Sequence, residues 1–176
     1  MTQQEKEYFI WLTNTTDKYR GLFINRSIAI EQIIEEFLSW YFGDTNSEKR
    51  IYFHELVLNN IDLTFRTKIK MFTDIVNNFL TSEFDKYKQH FTKLDNLRSK
   101  RNEFAHSKID SRPNSLTSNF LTRDKIHLIK LKDFKLKQVI LEIDILERQF
   151  DEYGQLVEDL AELLKEYIAS RQALPS

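Results

Sequence analysis

One run of apolar residues constrains the fold more than any other feature of the sequence. From residue 136 to residue 167, apolar side chains recur at alternating steps of three and four residues, a spacing that places them on one helix face. The run comprises Leu136, Val139, Ile143, Leu146, Phe150, Tyr153, Val157, Leu160, Leu164 and Tyr167. It predicts a last helix of about 35 residues. Its bulky and aromatic members favour the core of a helical bundle, with a dimeric coiled coil as the alternative.

The scarcity of turn-forming residues points to the same fold class. The 176 residues include only 3 Gly and 2 Pro, too few for the many turns of a β-sandwich or barrel. The absence of Cys excludes disulfides, thiolate metal sites and cysteine nucleophiles. Gly21, Gly43 and Gly154 stand far apart, which excludes a glycine-rich phosphate loop. We therefore expect one all-α domain over residues 1–176.

Helical periodicity also covers the first half of the chain. The first forty residues predict a helix that ends at Gly43, and the polar residues 14–17 allow a break within it. A polar turn at residues 44–47 is expected to cap a segment that continues through Leu58.

Two more helices are expected in the middle of the chain. Asp62 or Thr64 is placed to cap the first of them. Its inward side chains are predicted to be Phe65, Ile69, Phe72, Ile75, Val76 and Phe79. Ser82 and Asp85 resemble a capping box that opens the second, which runs to about His106.

The helical pattern is interrupted before the last helix. Residues 107–124 are rich in Ser, Asn and Thr and predict a long loop. Residues 125–131 predict a strand, which residues 120–122 are expected to join in a small hairpin. The predicted fold is thus an all-α bundle of four or five helices, with a small β-hairpin inserted before the last long helix.

A nearly neutral total charge hides an uneven distribution. The 26 Lys and Arg almost cancel the 27 Asp and Glu. Between Glu142 and Glu166, however, nine acidic residues face only Arg148 and Lys165. Basic residues instead concentrate at Lys86, Lys88, Lys93, Arg98, Lys100, Arg101 and Lys108. Such a cluster either attracts a phosphate-bearing ligand or forms a solvated helix face.

The most informative short motif lies within this basic cluster. Arg101 and Asn102 are followed by Ala105 and His106. Arginine offers a planar charged fork for phosphate oxygens, and histidine ordinarily titrates near neutral pH. The structural alternatives are that Arg101 pairs with acids of the last helix and that His106 only complements the dipole at a helix end. On a straight helix the two side chains lie about 140° apart, so either the helix ends or bends here, or two chains share the site.

The motif Arg101-Asn102-x-x-Ala105-His106 resembles the signature of HEPN domains, helical domains of many prokaryotic defence and toxin ribonucleases. The resemblance covers about ten positions, and the expected helix order agrees with it. It implies metal-independent RNA cleavage in which His106 is the general acid and base. It further implies that Arg101 stabilises the transition state and that Asn102 orients His106 or the phosphate. The nearby cations Arg98, Lys100 and Lys108 are expected to bind the substrate.

These observations predict a metal-independent endoribonuclease in stress response or phage defence. We expect single-stranded RNA as substrate, a homodimer, a cytoplasmic location, and no metal or cofactor, since the four His lack the spacing of metal pairs. No membrane partner is expected, because no stretch approaches about 18 apolar residues. An antitoxin or other regulatory protein is a further partner that the resemblance implies. Lys108, however, replaces the Tyr that antitoxins modify in a toxin subset of the family.

Two other functions fit the same sequence. The first is a catalytically silent helical module that binds a protein partner or a nucleotide through the motif surface. The second is a structural dimer built on the apolar run of residues 136–167.

Overall fold

The computed structural model describes residues 2–60, 62–80, 82–111, 122–132 and 134–173. The protein is mostly helical and has a small three-stranded antiparallel sheet. Its elements are α1 (Gln3–Gly43), α2 (Ser47–Phe53), a π-helical turn (His54–Leu58), α3 (Phe65–Asn78), a 3₁₀ helix (Ser82–His90), α4 (Phe91–His106), β1 (Lys108–Ile109), β2 (Lys125–Lys132), β3 (Lys135–Glu142) and α5 (Ile143–Gln172).

The chain divides into two compact units. The first unit comprises Met1–Asn25 and Ser99–Glu152, and the second comprises Arg26–Arg98 and Tyr153–Ser176. Helices α1, α4 and α5 therefore each contribute to both units. The single domain expected over residues 1–176 stays a prediction.

The first unit combines the sheet with three helix ends. The strand order is β1-β2-β3, and Lys108 lies opposite Ile129 while Ile126 lies opposite Leu141. Side chains alternate between the two faces of a strand, so Ile126 and Leu128 share one face, which is buried. The helical residues of this core are Tyr8, Leu12, Tyr19, Phe23, Phe104 and Leu146.

The regular elements of the second unit are all helices within its described residues. Thr64 caps α3 by accepting a hydrogen bond from the backbone N–H of Thr67 at 3.3 Å. The buried residues of α3 then fall three or four apart, which forms one apolar face. In α5 the buried set of this unit is Tyr153, Leu156, Leu160, Leu163 and Tyr167.

A buried lysine is fully paired within this helical unit. The Lys68 Nζ donates to Glu31 at 2.8 Å and also to Glu35, and the lysine side chain is almost inaccessible. Burial alone would lower the pKa of Lys68, but hydrogen bonds and charge from the two carboxylates outweigh burial and raise it. The pair satisfies a charge that would otherwise be costly to bury.

Gly43 ends α1, as the sequence predicts, and its missing side chain is required there. A Cβ at this position would lie 2.8 Å from the Arg50 backbone nitrogen, closer than two such atoms approach. Glycine therefore lets the chain turn back closely into α2, whose N-cap is Asn46.

The long apolar run is divided between a strand and a helix. Lys135–Glu142 form β3, so the predicted last helix begins at Ile143 instead, and Leu136 is 59% exposed on the strand. Leu136 and Val139 are three residues apart, a spacing that puts them on opposite faces of a strand. The segment is nevertheless a strand, because it pairs with β2. Within α5, Leu146, Tyr153, Leu160 and Tyr167 are buried in the chain itself, which confirms the core interpretation for these members. The other members in α5 are only half-buried, and Leu156 and Leu163, outside the run, are buried instead.

Other expectations are corrected near the sheet. The strand predicted at residues 125–131 is confirmed as β2. Its described partners are β1 and β3, and β1 lies inside the segment predicted to be a loop. Of the hairpin partner expected at residues 120–122, Phe120 and Leu121 lie outside the described residues.

Two corrections concern the helices. Helix α1 continues through residues 14–17, because Thr16 is buried in line with Leu12 and Tyr19 on the inward face. Phe79, expected in the core, is 69% exposed, because α3 ends at Asn78 and the backbone of Phe79 leaves the helical conformation with a φ of −128°.

Candidate functional site

The motif lies at the C-terminal end of α4, in the first unit. Phe104 anchors this end: it is fully buried, and its ring stacks on Phe23 with centroids 5.3 Å apart. Phe23 also meets Phe150 edge to face at 6.3 Å. These aromatic contacts fix the orientation of the helix end.

The three predicted catalytic residues are all helical. Asn102 and His106 are exposed, and Arg101 is half-buried and engaged in interactions within the chain. Because α4 remains regular to His106, 100° per residue places Asn102 and His106 about 40° apart around its axis. Arg101 and His106 lie about 140° apart by the same geometry. One chain thus brings Asn102 and His106 together and turns Arg101 away from them.

Arg20 holds the end of the motif helix. Its Nε donates to the Phe104 carbonyl at 3.2 Å and its Nη2 donates to the Ser107 carbonyl at 3.2 Å. Asp17 in turn accepts from Arg20 Nη1 at 3.0 Å. The last carbonyls of a helix have no hydrogen-bond donor within the helix. Here the Arg20 guanidinium supplies donors at the helix end, a role that a glycine cap fills through the backbone in many other helices. The role of Arg20 is not predicted from the sequence, because no local pattern links it to Phe104 and Ser107, which follow it by 84 and 87 residues.

Lys100, predicted to bind substrate, is paired inside the first unit. Its Nζ lies 3.1 Å from Glu103, and Lys130 Nζ of β2 lies 3.2 Å from the same carboxylate. Burial would raise the pKa of Glu103, but the two lysines outweigh burial and hold the pKa below its ordinary value. Glu103 therefore connects the motif helix to β2 and neutralises part of both positive charges.

The two other predicted substrate-binding residues differ in setting. Arg98 belongs to the second unit and pairs with Asp95, its Nε lying 3.3 Å from Oδ1. Lys108 is exposed on β1, opposite Ile129 of β2. Lys108 thus lies two residues beyond His106 with its side chain accessible, whereas Arg98 and Lys100 are already engaged by carboxylates.

A buried polar pair lies directly beyond the motif. Asp110 is fully buried, and its backbone N–H donates to the His127 carbonyl at 3.0 Å. The Gln138 side-chain amide donates to Asp110 Oδ2 at 3.2 Å. Burial lowers the pKa of His127, and the charge of Asp110 opposes that shift only in part. These residues tie β1 to β2 and β3, and their burial fits a structural role.

The second unit contains a cavity of about 370 Å³. It is lined by Glu36, Ser39, Ser47, Arg50, Ile51, His54 and Glu55. The Arg50 guanidinium lies 3.6 Å from the centre of the Trp40 ring. Both acidic and basic side chains line the cavity, so its charge does not select one class of ligand. None of the motif residues lines it.

Metal binding and membrane insertion each require a recognisable structural feature. In the described ranges, no three His, Asp or Glu side chains are grouped as ligands of a metal ion would be. None of the helices within the described residues combines the length and the apolar content needed to cross a membrane.

Comparison of this chain with protein-family models, with curated proteins and with solved structures found no match. The residues that bear on function are therefore those at the end of α4 and their surroundings in the first unit.

Proposed function

We propose that this protein is a metal-independent endoribonuclease of the HEPN type that acts on single-stranded RNA as a homodimer. The observation that carries the proposal is the accessible pair Asn102 and His106 at the end of α4. Phe104 and the Arg20 hydrogen bonds hold this helix end in place, which is the rigid support that a catalytic side chain needs.

The proposed chemistry is an internal transfer within RNA. His106 takes the proton from a ribose 2′-hydroxyl as that oxygen attacks the neighbouring phosphorus. The bond from phosphorus to the 5′-oxygen breaks, and that oxygen receives a proton from a histidine. The products are a 2′,3′-cyclic phosphate and a 5′-hydroxyl, and no metal takes part in the step. Arg101 stabilises the additional negative charge on the non-bridging phosphate oxygens in the transition state.

The geometry of α4 supports the homodimer. One helix presents His106 and Arg101 about 140° apart, so a single copy does not direct both at one phosphate. Two copies with their motif helices facing each other combine the His106 of one with the Arg101 of the other. Asn102, on the same side as His106, then orients the imidazole or the phosphate.

The test is cleavage of single-stranded RNA in the presence of EDTA. Wild-type protein is expected to cut. His106→Ala should lower the rate at least about a hundredfold, since a lost proton-transfer group costs that much. Arg101→Ala should lower it by a similar factor, since it removes a charge that stabilises the transition state. The matched controls are His54→Ala, at a half-buried position, and Arg148→Ala, at an exposed one, which remove the same residue types outside the motif. Equal rates for motif and control variants would assign the activity to another site.

A silent module that binds a protein partner or a nucleotide is the second candidate. The pairing of Arg98 with Asp95 and of Lys100 with Glu103 favours it, because those cations are partly neutralised within the chain. If pure protein leaves RNA intact over a range of pH and salt while remaining folded, the silent module replaces the ribonuclease.

A further inference from the structure

The tip of the β2–β3 hairpin concentrates positive charge on one side. In the register of the two strands, Lys130 lies opposite Lys137 and Lys132 lies opposite Lys135. Opposed residues and residues two apart share a face, so all four ammonium groups belong to one face of the hairpin. Their Cβ atoms are separated by about 5 Å across the strands and about 7 Å along them.

This arrangement conflicts with what sheet stability alone favours. Like charges directly opposite each other destabilise a strand pair. Lys130 is compensated by Glu103 at 3.2 Å, whereas within the described residues no carboxylate lies at ion-pair distance from Lys132, Lys135 or Lys137. Three of these four lysines thus lack a carboxylate partner among the described residues, and such a compact set of like charges is suited to an external polyanion.

An aromatic ring stands at the end of the same hairpin. Phe134 is 99% exposed and adopts a φ of 58°, a left-handed conformation that favours glycine. Phenylalanine here accepts a conformational cost and gains no burial within the chain. Its flat accessible ring is suited to stacking against a base, which does not depend on sequence.

We propose that this hairpin tip, formed by Lys130, Lys132, Phe134, Lys135 and Lys137, is a binding arm for single-stranded RNA. The lysines contact successive phosphates, and Phe134 stacks on a base. The arm is joined to the motif helix through Lys130 and Glu103, and β2 is paired with β1 two residues beyond His106. The inference rests on RNA being the substrate of the proposed function.

A polynucleotide fits the hairpin better than an anionic membrane does. Leu131 lies opposite Leu136 on the other face, and these two side chains are exposed. A membrane surface would take up this leucine face and leave the lysine face turned away. A single strand of RNA contacts the lysine face and the ring of Phe134 together.

The test measures RNA binding separately from cleavage. The His106→Ala protein, which should bind without cutting, is titrated with a fluorescent oligouridylate of about 16 nucleotides at several salt concentrations in EDTA. Adding K132Q, K135Q and K137Q should weaken binding at least tenfold at low salt. The slope of log Kd against log salt should fall by about 2, because three phosphate contacts are lost.

The matched control removes equal charge elsewhere. K49Q, K70Q and K165Q alter three exposed lysines of the second unit and should change Kd less than about threefold. Equal losses for the two triple variants would overturn the proposal. Thermal unfolding checks the fold, and the hairpin variant should melt no lower than its parent, since repulsion is removed.

The ring and the membrane provide independent outcomes. F134S should weaken binding about tenfold without changing the salt slope, and F134W should restore it. Retained affinity in F134S would exclude the stacking role. In sedimentation with vesicles containing anionic phospholipid, the hairpin triple variant should behave as its parent does. A variant that binds RNA normally but has lost vesicle binding would assign the arm to membranes.

The binding test and the cleavage test fail separately. If the hairpin variant loses RNA binding while wild-type protein never cuts RNA, the arm stands and the proposed catalysis fails. If wild-type protein cuts RNA through His106 while the hairpin variant binds RNA as tightly as its parent, the arm fails and the catalysis stands.

Discussion

The basic residues near α4 and those of the β2–β3 hairpin carry the same charge, but the fold uses them differently. Around α4, four cations lie within ion-pair distance of carboxylates. The pairs are Lys86 with Glu166, Lys88 with Asp85, Arg98 with Asp95 and Lys100 with Glu103. On the hairpin, lysines oppose lysines across the strands. Positive charge counted along a sequence therefore differs from positive charge available to a ligand, and on the hairpin three lysines have no carboxylate partner among the described residues.

The largest effect on stability is expected from substituting Arg20, whose guanidinium forms hydrogen bonds to other groups of the same chain. Arg20→Met leaves the carbonyls of Phe104 and Ser107 without these hydrogen bonds. We expect a loss of about 2–3 kcal/mol in the free energy of unfolding, because charged hydrogen bonds at a helix end are removed. Urea unfolding measures this loss. The control Lys6→Met, at an exposed position of α1, should have little effect, and equal midpoints for the two variants would contradict a structural role for Arg20.

An intermediate effect is expected where the two basic regions meet, at Glu103. Glu103→Gln should lower the free energy of unfolding by about 1 kcal/mol at pH 7, since two ion pairs lose their carboxylate. The same change should tighten RNA binding a few-fold, because Lys100 and Lys130 become available. Glu158→Gln, at an exposed position of α5, is the control.

The stability difference between wild type and Glu103→Gln should depend on pH, because the pKa of Glu103 is lowered in the folded protein. The folded state holds this pKa below its unfolded value of about 4.3. The stabilisation is therefore fully present above that pH and is lost as the pH falls through the folded pKa. Urea midpoints of wild type and Glu103→Gln should converge in strong acid, and a difference that persists there would point to packing as its cause.

The smallest effect is expected on the hairpin, where no carboxylate among the described residues lies at ion-pair distance from Lys132 or Lys135. Lys132→Gln combined with Lys135→Gln should raise the free energy of unfolding by about 0.5 kcal/mol, because a like-charge cross-strand pair is removed. Thermal unfolding at low salt measures the gain. High salt should abolish the gain by screening, and a destabilised variant would show that the lysines contribute to folding.

Local signals in the sequence were sufficient for helix ends. The stop at Gly43 and the cap at Thr64 each depend on residues close in the chain, and the structure has both.

Pairing between distant segments could not be predicted in this way. Leu136 and Val139 continue the spacing of α5, and only their partners in β2 decide that they form a strand. The assignment of this segment to a helix also concealed the alternating lysines at positions 130, 132, 135 and 137. Arg20 reaches Ser107 across a separation in sequence that no local pattern records.

The division of the chain has a consequence for how the protein can be cut. The chain passes from one unit to the other three times, and each passage lies inside a helix: α1, α4 or α5. Each unit consists of two separate stretches of sequence, so no continuous fragment contains one unit alone. A protease that nicks a loop between elements leaves all three crossing helices intact. Any continuous segment that holds one whole unit therefore also holds part of the other.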